Sequence, residues 1–109
     1  MSNVNIYPVS GREFKAIREG SGYSAQEVAA YFSVYAVRQK WPMRIGKTIQ
    51  TIYRLEAYTW VADKYVEALR VLVGEEAFLA RLLRYRAKQE QIERDRQERK
   101  ELQKQLEGK

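Results

Sequence analysis

Ile45-Gly46-Lys47-Thr48-Ile49-Gln50-Thr51-Ile52-Tyr53-Arg54-Leu55-Glu56 is the stretch on which the fold turns. Its apolar residues Ile45, Ile49, Ile52 and Leu55 stand four, three and three apart. A helix brings residues at those spacings onto one side, whereas a strand needs them at every second position. The spacing therefore predicts an amphipathic helix over about residues 46–56. At about 100° per residue, Lys47, Gln50, Thr51 and Arg54 fall opposite the isoleucines, with Thr48 and Tyr53 beside them. One face is apolar, and the other carries cations, an amide and a hydroxyl. The plain alternative is an ordinary surface helix. Such helices usually mix both charge signs, and this one has no acid before Glu56.

The absence of acid extends well beyond that helix. The 28 residues from Val28 to Leu55 hold no carboxylate, and they hold Arg38, Lys40, Arg44, Lys47 and Arg54. The chain's net charge is +6, from 20 Lys and Arg against 14 Asp and Glu, so this window carries +5 of it. The remaining residues nearly cancel. A local patch of a single sign is the footprint expected for a polyanion partner. A solvated basic face is the bland counterpart. Tyr31, Tyr35, Trp41 and Tyr53, interleaved with the cations, favour binding.

Further helices flank this centre. Met1 to Val9 is polar apart from a few apolar residues and is predicted to be a mobile or extended arm. Ser10 to Glu13 and Ser24 to Glu27 each read S-x-x-E, the capping-box pattern that satisfies two backbone donors at a helix start. Phe14 and Ile17 follow the first box, and Gly20-Ser21-Gly22 ends that helix. Val28, Tyr31, Phe32 and Tyr35 follow the second at helical spacing, and Pro42 breaks what precedes it. Val61, Tyr65, Leu69 and Leu72 form a fourth stripe, ended by Gly74. Glu75-Glu76 opens a fifth helix, suiting the positive end of its dipole, with Phe78, Leu79, Leu82 and Leu83 as its buried part. No internal repeat and no convincing strand is present. The expected class is all-α, with an arm at 1–9, a five-helix domain over 10–83 and a charged helical tail over 84–109.

That tail holds 9 basic and 6 acidic groups in 26 residues, with Tyr85, Ala87, Ile92, Leu102 and Leu106 as its apolar side chains. Glu90 with Arg94, and Asp95 with Arg99, stand at i,i+4 and are expected to pair. A heptad frame through Phe78, Leu82, Tyr85 and Ile92 runs into Gln89, Arg96 and Arg99, where two-stranded coils want apolar residues. A protruding, charge-laced helix is expected in preference to a dimerising coil.

Several function classes fall away. There is no Cys and no His, hence no disulfide, no Cys- or His-based zinc site and no Ser-His or Cys-His nucleophile pair. No run is apolar enough for a membrane span, and no signal-peptide pattern opens the sequence. Asp63 and Glu67 stand four apart like paired carboxylates, but a solvated helix face explains them better. Gly46-Lys47-Thr48 echoes the end of a phosphate loop, yet Trp41 occupies the position where that loop needs glycine. No enzyme activity, cofactor, metal or small-molecule substrate is expected, and a cytoplasmic location is.

From Phe14 to about Leu72 the sequence resembles the Cro and phage-repressor type of helix-turn-helix, the xenobiotic-response-element family. Ile17-Arg18-Glu19-Gly20-Ser21-Gly22-Tyr23-Ser24 matches that family's L-R-x-x-x-G-h-S, and Glu27-Val28-Ala29 its E-L-A. Thr51-Ile52-Tyr53-Arg54-Leu55-Glu56 matches T-I-S-R-h-E. The resemblance implies a transcriptional regulator, of a repressor type found in phages and mobile elements. It would put the helix over 46–56 into the major groove of double-stranded DNA and act as a homodimer on palindromic sites. The Tyr65–Leu83 region and the tail are both candidates for the dimer contact. The DNA-facing residues would be Gln26, Arg38, Lys40, Arg44, Lys47, Thr48, Gln50, Thr51, Tyr53 and Arg54. Cations suit phosphates, Arg and Lys suit guanine, and an amide suits adenine.

Two departures stand out. The family's phosphate-contacting Gln after the second cap is Ala25 here, with Gln26 next to it. About 13 extra residues separate Ala29 from Ile52, so either the second helix runs on through Arg38 towards Trp41 or a basic loop is inserted. A second resemblance competes. Glu27 to Val34, Val37 to Trp41 and Arg44-Ile45-Gly46-Lys47 are similar to the excisionase type of small winged helix, in which Ile49 to Leu55 would be strand. Outside DNA binding, an adaptor or inhibitor acting through protein contacts of its helical tail is the main alternative. An RNA-binding role lacks its usual motifs.

Overall fold

The computed structural model describes residues 5–42 and 48–108. It contains α1 (Gly11–Gly20), α2 (Ala25–Arg38), α3 (Ile49–Ala57), α4 (Asp63–Val73) and α5 (Glu75–Glu107). Among the described residues no strand forms, and the fold is all-helical as the sequence predicts. Residues 49–55, which a winged helix would need as strand, lie in α3.

The local signals act where they stand. Ser10 and Ser24 each accept from the backbone N–H three residues on, and Glu13 and Glu27 reach back to the cap N–H, completing both capping boxes. α1 ends with Gly22 in the left-handed region at φ 83°, where its N–H donates to Glu19 O and the Tyr23 N–H to Arg18 O. α2 ends in the same way with a lysine in place of glycine. Lys40 sits at φ 57°, its N–H donates to Val37 O, and the Trp41 N–H donates to Ala36 O. This pair of bonds is the Schellman motif, with an apolar residue following the left-handed one. The stop is therefore made at Lys40, two residues before Pro42.

The core gathers Phe14 and Ile17 of α1, Val28 and Phe32 of α2, Ile52 and Leu55 of α3, Val66 and Leu69 of α4, and Phe78 and Leu82 of α5. Phe14 meets Phe32 edge-on, and Phe32 stacks on Tyr65 at 5.8 Å between ring centres. Three expectations are corrected. Ile49 and Leu83 are 38% and 48% exposed, so the apolar stripes of α3 and α5 are narrower than predicted. The segment from Asn5 to Val9 is docked: Ile6 and Val9 are buried in the core, and Val9 bridges Val61 antiparallel. Val61, expected to open the fourth helix, lies before it.

The fixed structure also extends beyond residue 83. Arg86 donates to Glu13, and to the carbonyls of Ile6 at 2.8 Å and Pro8 at 3.2 Å. It thereby ties α5 to α1 and to the docked segment. Beyond it α5 continues as one exposed helix, and the long axis of the molecule reaches 65 Å. The radius of gyration is 17.7 Å, against about 13 Å for a compact domain of this length.

Candidate nucleic-acid interface

What holds α3 determines what it can present. Its inner face buries Ile52, Leu55 and Glu56. Glu56 accepts from Arg18 Nε at 2.5 Å and from a second guanidinium nitrogen at 3.1 Å, while the third nitrogen donates to Tyr23 O at 2.9 Å. Arg18 and Glu56 are 6% and 9% exposed. The Glu56 hydrogen bond raises the Arg18 pKa above its ordinary value, outweighing the opposing effect of burial. Gly11 adds a second tie. Its N–H donates to Tyr58 O at 3.0 Å, and a Cβ there would lie 2.5 Å from Glu56 O. The backbones of α1 and α3 therefore touch, and only glycine fits between them. α3 is fixed to α1 in both rotation and distance.

The outer face then consists of Gln50, Tyr53 and Arg54, all exposed. Thr48 is the N-cap of α3: its hydroxyl accepts from the Thr51 N–H at 3.3 Å and lies 3.2 Å from the Thr51 hydroxyl. Thr51 is half-buried. These two threonines order the first turn among their own groups, which leaves Gln50, Tyr53 and Arg54 to face outward. Arg44 and Lys47 fall outside the described residues.

α2 supplies the rest. It runs through Arg38, so of the two alternatives for the extra residues the longer helix is the one that forms up to residue 38. Ala25 is buried at 4% exposure, which leaves no solvent-facing side chain where the resemblance wants a phosphate contact. Gln26, next to it, is exposed. Gln26 and Arg38 lie at opposite ends of the helix, about 18 Å apart at 1.5 Å per residue.

Trp41 packs at the end of α2, edge-on to Tyr35 at 5.6 Å and to Tyr65 at 5.3 Å. Lys64 Nζ lies 5.9 Å from the Trp41 ring centre. That contact brings an additional cation to Trp41, which follows the end of α2. A reading of acid-free sequence windows misses Lys64, because Asp63 precedes it and the proximity arises only from packing α4 on α2.

Which cations of α2, its C-terminal turn and α3 stay available depends on the ion pairs that form. Among the described residues, the ion pairs are Arg18–Glu56, Arg70 with Glu67 and Glu75, Arg86–Glu13 and Arg96–Glu93. None involves Arg38, Lys40 or Arg54. Glu56, the first acid after the basic window, is turned inward and neutralised by Arg18. No group of three or more Asp and Glu able to hold a metal occurs among the described residues. No helix among them is long and apolar enough to cross a membrane. No family model, curated protein or solved structure matches the chain.

Proposed function

We propose that the protein is a sequence-specific double-stranded DNA-binding regulator that presents α3 to the major groove and acts as a homodimer. The observation that carries this reading is that, among the described residues, Arg38, Lys40 and Arg54 enter no ion pair, while the exposed face of α3 is Gln50, Tyr53 and Arg54. In this reading Gln50 and Arg54 address base edges. Arg38, Lys40 and Lys64 neutralise phosphates, with Arg44 and Lys47 as further cations of the same window. The resemblance to the Cro and phage-repressor type supports a repressor role. The reading contains no catalytic step and no cofactor.

The test is binding to duplex DNA across a salt series. Phosphate neutralisation releases counterions, so log affinity should fall with log salt at a slope of about −0.9 per phosphate contacted. Lys40→Ala should reduce that slope by about one unit on every sequence, while Gln50→Ala should cost roughly 1–3 kcal/mol on the preferred site alone. A flat salt response would overturn the reading and favour an adaptor that works through protein contacts.

A further inference from the structure

The outer half of α5 carries a second pattern, distinct from the DNA-facing side. Lys88, Ile92, Asp95, Arg99, Leu102 and Leu106 recur at spacings of four, three, four, three and four. That is the a/d repeat of a coiled-coil seam. It shares the line of Phe78, Tyr85, Ile92 and Arg99 with the frame that meets Gln89 and Arg96, but takes Lys88, Asp95 and Leu102 as its second line in their place. The seam collects the exposed large aliphatic side chains of this half: Ile92, Leu102 and Leu106 are 39%, 60% and 76% exposed. At its middle stand one acid and one base. Asp95 and Arg99 do not close the expected i,i+4 pair, nor do Glu90 and Arg94; the ion pair that forms in this half is Arg96–Glu93. Asp95 instead accepts from Gln91 at 2.9 Å. Among the described residues both Asp95 and Arg99 lack an oppositely charged partner.

The order of residues along the seam selects an orientation. In a two-fold pair, residue i meets residue j and j meets i. With two copies antiparallel and the axis beside residue 97, Ile92 meets Leu102 of the second copy, Asp95 meets Arg99, and Lys88 meets Leu106. All three pairs share that one midpoint. Each is a favourable match: apolar on apolar, acid on base, and a long lysine stem lying along a leucine with its charge in water. Parallel copies in register would set Asp95 on Asp95 and Arg99 on Arg99, two adjacent like-charged layers. We infer that the outer half of α5 is the docking surface for a second copy of this chain, paired antiparallel about residue 97 through this seam. The inference deepens the homodimer of the reading above and does not depend on DNA being the partner. The seam covers about 27 Å of helix at 1.5 Å per residue. It leaves the packed domains at opposite ends of the paired helices.

The chain has no cysteine, so introduced cysteines report orientation directly. Ile92→Cys and Leu102→Cys lie on an exposed helix outside the core and leave the domain intact. In the antiparallel pair each is about 15 Å along the axis from its own copy, and a disulfide needs Cα atoms within about 7 Å. Under mild oxidation of the full-length protein, the two variants mixed should cross-link to each other. Each alone should cross-link no faster than Glu101→Cys on the far face. Faster self-linking of Ile92→Cys, or no cross-link above that control in the mixture, would overturn the inference. The charges give a second measurement. Asp95→Arg and Arg99→Asp should each lower the dimer fraction seen in sedimentation. The double exchange should restore it, because the two groups merely trade places across the axis. A monomeric wild-type protein, or a double exchange no better than the singles, would also overturn it. Neither measurement contains DNA, so its failure is separate from a failure of the salt test.

Discussion

The part of the molecule up to Arg86 and the outer half of α5 are both rich in Arg and Glu, and they use them in opposite ways. In the first, Arg18 and Arg86 reach partners 38 and 73 residues away, and their guanidinium groups also bind backbone carbonyls. In the second, Arg96 reaches Glu93 at 3.6 Å with both side chains more than half exposed. The first kind of contact closes the fold, because ions taken out of water must be satisfied fully. The second contributes a few tenths of a kcal/mol at most, since water and salt screen it. The difference lies in where packing places the groups, not in residue type.

The largest expected effect comes from breaking the deepest pair. Glu56→Ala leaves Arg18 buried and without its counter-ion, which costs about 3–5 kcal/mol. Replacing both partners with apolar residues, Arg18→Met with Glu56→Leu, should recover much of that loss, since no uncompensated charge remains. Urea unfolding of the three proteins checks this. A Glu56→Ala loss under about 1 kcal/mol would mean the pair is as solvated as those on α5.

A smaller effect is expected at Arg86–Glu13, half-way in burial between the two regions. Burial alone would raise the Glu13 carboxyl. Arg86 and the Ser10 N–H together outweigh it and hold the group below the ordinary carboxylate range. A carboxyl with a folded pKa below its unfolded one stabilises the fold above the unfolded value, near 4.3, and loses that contribution as pH falls through the folded value. Acidification from pH 6 to 3 should therefore lower the urea midpoint. Glu13→Gln should show a shallower decline and a stability at pH 6 lower by on the order of 1–2 kcal/mol. An equal pH slope in both proteins would remove Glu13 from the account.

Much of this fold is written locally. The two capping boxes, the glycine stop after α1 and the carboxylates opening α5 each lie within a few residues of the feature they control, so spacing alone exposes them. Contacts across the chain are not visible in that way. Ile6 and Val9 sit in a stretch too short and polar to show a periodicity, and their burial depends on Val61 and on Arg86 arriving from α5. Arg18 and Glu56 both stand in the two stretches that carry the family resemblance, yet nothing in either stretch says that they meet. The candidate site divides in the same manner. The outward direction of Gln50 and Arg54 follows from helical period, whereas the capping role of Thr48 and the arrival of Lys64 depend on where the backbone turns and what α4 packs against.

Lys40 allows a sharper test, because its backbone and its charge have separate consequences. A non-glycine residue in the left-handed region costs about 1 kcal/mol, and Lys40 is held there at φ 57°. Lys40→Gly should therefore stabilise the fold by up to about 1 kcal/mol, less the extra freedom glycine gains when unfolded. On the proposed function it should weaken DNA binding as Lys40→Ala does. Lys40→Ala keeps the strain and should leave stability nearly unchanged. Thermal melts and binding on the same three proteins separate the two roles. If Lys40→Gly were less stable than wild type, the Lys40 side chain would be making a contact that the Schellman turn does not explain.

The smallest effect is expected from removing the outer half of α5, provided the cut is placed on the right side of Arg86. Deleting residues 89–109 removes a stretch whose described side chains are all exposed and whose hydrogen bonds and ion pairs stay within α5, and it keeps Phe78, Leu82 and all the hydrogen bonds of Arg86. Deleting residues 86–109 removes three more residues, including the guanidinium that binds Glu13, Ile6 O and Pro8 O. The longer deletion strands a partly buried Glu13 carboxylate and frees the segment from Asn5 to Val9, a loss of roughly 1–3 kcal/mol. For a domain of this size about 1 kcal/mol corresponds to a shift of roughly 4–8 °C in the melting temperature. The cut at 89 should therefore melt within about 2 °C of the full chain, and the cut at 86 several degrees lower. The melts belong at low protein concentration, because pairing through α5 would stabilise the full chain by mass action and mimic a contribution from within one copy. If the two truncations melted together, well below the full chain, the outer half of α5 would be supporting the fold in a way its exposed side chains do not account for. If they melted together with the full chain, Arg86 would contribute no more than the surface pairs beyond it, and the boundary between the two regions would move back towards Leu82.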